Sequence, residues 1–305
     1  MNIFEFLGST VKREKPFQLV KHLNEVPASK IKFPIYGEVK HDGCFLAMAV
    51  KGVGAMGFSR TGKAFTNLGF LDDRYWMAPE GVYIAEICND WMTLEELSGA
   101  INPNRVEPLD LETAEKMKYC SIKFRDFIWI IDFLKGRGSD SYLERKDTLW
   151  DCMETYLDHS DEMVKLKWLF SDEEMTAYSD INIGLGHEGS VFHQDVDWEA
   201  GHKGWREVKI VRGVSYDLEC IGWEEGKGKY AGKVANLIFR WKDGKKIKAM
   251  LGKGWQHHHA EHLFNTRESI AGRIFKVTAL QESSKGVLRL PKVGEERYDK
   301  RRSDF

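Results

Sequence analysis

Gly37-Glu38-Val39-Lys40-His41-Asp42-Gly43, running into the apolar stretch 44–50, is the part of the sequence from which the rest can be read. Its two halves read as strands on either side of a short turn. Lys40 then ends the first strand, with an acid and a glycine close behind it. A lysine so placed can present its amine to a phosphate, although four residues of this kind also describe an ordinary surface charge.

Working outward, strand-like and helical runs alternate from about residue 33 to residue 212. Gly81-Val82-Tyr83-Ile84-Ala85-Glu86-Ile87 alternates as a half-buried strand does. Phe127-Ile128-Trp129-Ile130-Ile131-Asp132-Phe133-Leu134 reads as a buried strand. The amphipathic helix after it would carry Leu143, Trp150, Met153 and Leu157 on one stripe. Ser171 with Glu174 fits a capping box, and the helix it opens should end near Gly184-Leu185-Gly186. Beyond Arg212 the pattern changes to short strands separated by turn signals at Glu225-Gly226-Lys227-Gly228, Lys242-Asp243-Gly244-Lys245 and Gly252-Lys253-Gly254. Asp243-Gly244, between the strand-like segments 237–241 and 246–251, is a hairpin signal. Several short strands in so small a region predict a β-barrel, with the domain boundary at 212–216.

Composition narrows the function classes. The 305 residues are 42% hydrophobic, enough for a packed core in one large or two ordinary domains. No apolar run is long enough to span a bilayer, and the N-terminus lacks the form of a signal peptide. A cytoplasmic protein with no membrane partner is the expectation. Cys44, Cys88, Cys120, Cys152 and Cys220 are scattered and odd in number, which argues against a zinc ribbon or a disulfide framework. The net charge of −2 conceals an asymmetry: residues 201–305 carry 23 Lys or Arg against 13 Asp or Glu, and the remainder carries 22 against 34. A basic C-terminal third on an acidic body suits a polyanion held mainly by one end.

Order and spacing sharpen the picture. Ser59-Arg60-Thr61-Gly62 follows the Lys40 segment, Ala85-Glu86 ends a strand, Gly186-His187-Glu188-Gly189 introduces another, and Trp205 to Lys209 closes the series. This ordered set resembles the nucleotidyltransferase motifs of DNA ligases and capping enzymes. It is most similar to the compact ATP-dependent DNA ligases of bacteriophages, from about Tyr36 to the C-terminus. Tyr216-Asp217-Leu218-Glu219-Cys220-Ile221-Gly222 resembles the start of that family's OB-fold domain, and Arg297-Tyr298-Asp299-Lys300 its closing R-x-D-K motif.

The resemblance implies an α+β fold, with an adenylation (nucleotidyltransferase) domain of antiparallel sheets and helices over 1–212 and a C-terminal OB-fold β-barrel that binds DNA over 213–305. Lys40 would attack the α-phosphorus of ATP, carry AMP, and pass it to the 5′-phosphate of nicked double-stranded DNA, in replication, recombination or repair. Glu38 would contact the adenine, Arg60 the ribose or nick phosphate, and Lys209 the α-phosphate. Glu86 would sit near ribose and metal, and Glu188 would support Mg²⁺, for which Mn²⁺ can substitute. Arg297, Asp299 and Lys300 would orient pyrophosphate. A monomer is expected.

Four departures from the family pattern stand out. Phe45 occupies the place of an arginine, and Ile131 that of the aromatic before a buried-strand aspartate. His193 replaces a lysine, and Val211 replaces the second lysine after Lys209, with Arg206 or Arg212 as substitutes. An NAD-dependent ligase would need further modules. An RNA ligase, a capping-type nucleotidyltransferase and a catalytically impaired nick-binding protein remain alternatives. His257-His258-His259 with His262 lacks an accompanying carboxylate or cysteine motif, so a polar or DNA-facing surface is expected there rather than a metal site.

Overall fold

The computed structural model describes residues 1–157, 162–252, 254–280, 282–283 and 286–305. The chain forms two compact units, Met1–Val211 and Arg212–Phe305. The strands of the first are β1 (Leu19–His22), β2 (Ile35–Lys40), β3 (Cys44–Lys51), β4 (Gly54–Phe58), β5 (Gly81–Cys88), β6 (Ser121–Ile128), β7 (Lys167–Leu169), β8 (Gly189–His193) and β9 (Lys203–Val211). They make one sheet in the order β1-β9-β8-β2-β7 and another in the order β4-β3-β5-β6. β1 runs parallel to β9, and the other pairs are antiparallel.

The opening pair of strands is not a hairpin. β2 pairs with β7 and β8, whereas β3 pairs with β4 and β5, so His41-Asp42-Gly43 carries the chain from one sheet to the other. A Cβ on Gly43 would come within 2.5 Å of the Ile87 carbonyl oxygen, so the crossing requires glycine. β3 sends Leu46, Met48 and Val50 to one core and Ala47 and Ala49 to another, as the two-residue period demands. β5 lies between β3 and β6 and is buried along nearly its whole length, not on one face alone.

Two sequence expectations need correction. The apolar run 127–134 is not one strand. β6 ends at Ile128, and Ile130–Lys135 is a short helix stopped by Gly136 at φ 86°. An unbroken apolar run does not distinguish strand from helix; the left-handed glycine that ends this one was the available signal. The helix Tyr142–Asp151, opened by a Ser141–Glu144 capping box, buries Tyr142, Arg145, Lys146 and Leu149. That face is turned by about one residue from the expected stripe, leaving Trp150 42% exposed. Two of its members are cations, which a hydrophobic pattern counts as solvent-facing. Met153 is buried beyond it, and the Leu157 side chain lies outside the described residues. Ser171 caps the helix Asp172–Gly184 by accepting from Glu174 N at 3.2 Å, but the Glu174 carboxylate accepts from Phe170 N instead of closing the box.

The second unit is a closed barrel in the order β10-β11-β12-β14-β13, from β10 (Val214–Glu225), β11 (Val234–Arg240), β12 (Lys246–Leu251), β13 (Ile274–Ala279) and β14 (Lys292–Glu296). The long β10 pairs with β13 through its first half and with β11 through its second, which closes the barrel. Asp243 and Gly244 take φ 56° and 70° at the β11–β12 turn, the left-handed conformations an Asp-Gly hairpin uses. Lys253, in the third expected turn, lies outside the described residues. The five cysteines are free thiols.

Arg145 joins the helix Tyr142–Asp151 to the four-stranded sheet. Its Nε and Nη2 donate to the two carboxylate oxygens of Asp126 at 2.8 and 3.0 Å, and Nη1 donates to the Asp140 and Val196 carbonyls. Removing one partner of a buried pair strands the other charge, at a cost of about 3–5 kcal/mol. Arg145→Met should therefore lower the stability of the first unit by about that amount in urea unfolding; a change below about 1 kcal/mol would contradict this role.

Candidate active site between the two sheets

Lys40, the last residue of β2, faces Gly189, the first of β8. Gly189 has φ 146°, and a Cβ there would lie 2.2 Å from the Ile210 carbonyl oxygen. This close passage sets the position of the preceding residue. Glu188 N donates to the Lys40 carbonyl at 3.2 Å, and Glu188 Oε2 lies 2.6 Å from Lys40 Nζ. Lys209 stands on the next strand, β9, across from Val191. From the other sheet come Glu86, opposite Phe45 on β5, and Arg60, whose guanidinium lies 4.9 Å from the centroid of the Phe45 ring.

Glu86 and Lys209 both feel the charges of the other groups in this set. Burial raises the Glu86 pKa, against the pull of Lys40, Arg125 and Arg60. Burial lowers that of Lys209, with Lys40 adding to the effect and Glu188 opposing it. His41, beside Lys40, is pushed down to about 4 by burial and by His187, Lys123 and Arg125, so its imidazole is neutral at physiological pH.

Behind this cluster is a buried ionic network that the motif reading missed. Glu38 is fully buried. Its Oε1 accepts from Tyr142 Oη at 2.8 Å and Lys146 Nζ at 2.6 Å. Its Oε2 accepts from Arg125 Nε at 3.2 Å and faces His193 Nε2 at 3.3 Å. Burial alone would raise the Glu38 pKa, but Lys146, His193 and Arg125 reverse the effect and hold it well below the usual carboxylate range. Arg125 also donates through Nη2 to Glu207 Oε1 at 3.1 Å. It thus runs from β6 in one sheet to β2 and β9 in the other. Burial raises the Glu207 pKa, but His193, Arg125 and Gln18 more than offset this and lower it overall. A pocket between the sheets is lined by Phe17, Phe45, Ile84, Arg125, His193 and Glu207 among others.

The aromatic position must be reassigned. The aspartate on the buried strand is Asp126, so the residue before it is Arg125; Ile131 is on the short helix and 61% exposed. The mistaken strand over 127–134 caused the slip. His193 ends β8 and stacks on Tyr142 at 4.1 Å. Arg206 is held by Asp197 and Glu199. Arg297 and Lys300 belong to the barrel unit. There Arg297 pairs with Asp217 and Asp299, and Lys300 lies 3.2 Å from Asp217. Among the described residues, no group of three or more His, Cys, Asp or Glu is arranged to hold a metal, including around the helix His257–Asn265. Glu86 and Glu188 are therefore two carboxylates beside Lys40, a set that suits a hard cation sharing its remaining ligands with phosphates and water.

Residues 225–297 match the family model of the DNA ligase OB-like domain. A Lig E DNA ligase superposes with a TM-score of 0.70 at 14% identity, covering 92% of this chain and 98% of that one. The ATP-dependent DNA ligase from bacteriophage T7 in complex with ATP gives 0.56 at 16%, covering 93% and 99%. The fold is that of the compact ATP-dependent DNA ligases. A structure named Pmar-Lig_PreS3 gives a TM-score of 0.76 at 17% identity, covering 96% of this chain and 70% of that one. No curated protein matches the sequence. No helix among the described residues is long and apolar enough to cross a membrane.

The raised Glu86 pKa yields a pH-dependent expectation. Below the ordinary carboxylate range, folded and unfolded chains both keep the proton. Above it the unfolded chain ionises more readily, and the folded protein is penalised for the buried charge. Glu86→Gln should therefore raise the melting temperature more at pH 7 than at about pH 4, while reducing any nucleotidyl transfer. Equal shifts at the two pH values would contradict the burial argument.

Proposed function

We propose that the chain is an ATP-dependent DNA ligase that seals nicks between a 5′-phosphate and a 3′-hydroxyl in duplex DNA. The observation that carries this reading is Lys40 Nζ, 2.6 Å from Glu188, with Lys209, Arg60 and Glu86 within electrostatic reach. One amine surrounded by both cations and carboxylates suits phosphoryl chemistry, where the nucleophile must lose a proton and the transition state must be met by positive charge. The amine forms a bond to the α-phosphorus of ATP as the α–β bridge breaks, and pyrophosphate leaves. The 5′-phosphate at the nick then takes AMP as the P–N bond breaks. Finally the 3′-hydroxyl attacks that phosphate and releases AMP.

Glu188 accepts from the Lys40 ammonium in the resting protein. Lys209 and Arg60 face the phosphates. Glu86 and Glu188 would hold Mg²⁺, which neutralises developing charge when bound. Arg297 and Lys300 would act on pyrophosphate once released from Asp217 and Asp299. DNA is the macromolecular partner, bound by Lys227, Lys229, Lys246 and Lys248, which are exposed on the barrel unit. Such lysines contact phosphates without reading sequence, as an enzyme acting at any nick requires. The protein would work as a cytoplasmic monomer. One observation favours a second reading, a catalytically impaired nick-binding protein: Arg125 crosses the pocket between the sheets, tied to Glu38 and Glu207.

Labelling separates these readings. Incubation with α-labelled ATP, GTP or NAD should give a labelled protein band with ATP alone, and the wild type should seal a nicked duplex. Lys40→Arg should keep the fold and lose both activities by at least about a thousandfold, because a guanidinium does not deprotonate. A labelled Lys40→Arg band of normal intensity would overturn the assignment. Binding of nicked DNA without label from any donor would favour the impaired protein.

A further inference from the structure

The pocket between the sheets contains a polar atom that the protein leaves unsatisfied. Gln18 Oε1 is buried without a hydrogen-bond partner among the described residues, and Gln18 lines the pocket. A buried acceptor with no donor is costly, and an orphaned acceptor on a cavity-lining residue points to a ligand that completes it.

The orientation of the Gln18 amide is fixed by its surroundings. Gln18 precedes β1, and its Nε2 donates to Glu207 Oε2 at 3.4 Å. Arg125 and Gln18 are among the groups that keep Glu207 ionised, so Glu207 only accepts. Reversing the amide would set two acceptors against each other. The NH₂ therefore faces Glu207, and the carbonyl oxygen is left without a donor among the described residues on a residue that lines the pocket. Glu38 offers no equivalent. A carboxylate has about four lone-pair sites; Tyr142, Lys146 and Arg125 already bond to Glu38, and His193 is at 3.3 Å. It has no free capacity to accept from a base.

We infer that Gln18, not Glu38, reads the nucleotide base: its Oε1 accepts from the exocyclic amine of adenine and repels the exocyclic oxygen of guanine or hypoxanthine. This rests on the proposed nucleotidyl transfer from ATP. Phe17, Phe45 and Ile84 supply apolar walls for a purine, so the single oriented acceptor sets which purine is preferred. One neutral hydrogen bond corresponds to roughly three- to tenfold in affinity, and an acceptor–acceptor clash adds to the discrimination.

The test compares purine donors in the lysine-labelling reaction, using the full chain. ATP, purine riboside triphosphate (which lacks the amine) and inosine triphosphate (which has an oxygen there) are supplied over a concentration series. The wild type should show a KM for purine riboside triphosphate roughly three- to tenfold above that for ATP, and a larger one for inosine triphosphate. Gln18→Met, which keeps the length and removes the acceptor, should bring the ATP and purine riboside KM values together. Glu38→Gln should retain the preference wherever it folds. Equal wild-type use of ATP and purine riboside triphosphate overturns the inference without needing any variant, as does an unchanged preference in Gln18→Met. If no triphosphate labels the wild type, the proposed function itself fails, and the inference with it.

Discussion

A carboxylate taken wholly out of water, Glu38, organises the first unit. Moving one ion from water into a protein interior costs several kcal/mol even after relaxation, and the cost is met only by partners placed with good geometry. Glu38 obtains them from three directions: Lys146 and Tyr142 from the helix Tyr142–Asp151, Arg125 from β6, and His193 from β8. Arg125 in turn takes Glu207 on β9. The network fastens the two sheets and the helix around one point. Side chains alternate along a strand, so Lys40, two residues after Glu38, shares its face. A buried structural charge and the amine proposed to react are thus set by the same short strand. Loss of any member of the network should disturb Lys40 as well as stability.

Two residues of β2 illustrate a division of labour. Glu38 is buried and held by Tyr142, Lys146, Arg125 and His193, as a positioning element must be. Lys40 and Glu188 retain 15% and 14% exposure of their side chains, enough to meet a substrate. Gly43 and Gly189 permit the backbone approaches that bring the sheets' charged residues together, and a Cβ at either would collide with a carbonyl. The fold persists against ligase structures only 14–17% identical. What such a fold needs from its sequence is this handful of close approaches and a packed core, which many residue combinations satisfy.

Much of this was legible in the sequence, for identifiable reasons. The barrel announced itself through recurring turn residues between short strands, and Asp243-Gly244 takes the left-handed conformations its type favours. Lys40, Arg60, Glu86, Glu188 and Lys209 are singled out by the resemblance of an ordered motif set, and the structure places them within electrostatic reach of one another. The buried network escaped notice because Arg125, Arg145 and Lys146 look solvent-facing to any hydrophobic pattern. Only their partners on distant strands make burial tolerable, and sequence does not reveal those partners. The same blindness rotated the helix stripe. Reading 127–134 as one strand moved the buried aspartate from Asp126 to Asp132, and with it the pocket-lining position from Arg125 to Ile131. The orphaned Gln18 oxygen carries no sequence signature at all, since it follows from the amide's orientation against Glu207.

On the proposed function, the shared face of β2 makes Lys40, among several neighbouring lysines, the nucleophile. Lys146 is bound into the network and Lys209 stands on β9, one strand beyond β8, so both are credible competitors in space. Locating the adduct decides among them. The wild-type protein would be incubated with ATP, digested under conditions that preserve the phosphoramidate, and its peptides sequenced by mass spectrometry. AMP is expected on the peptide containing Lys40 and on no other. AMP on Lys209 or Lys146, or an unmodified Lys40 peptide in a labelled protein, would contradict it.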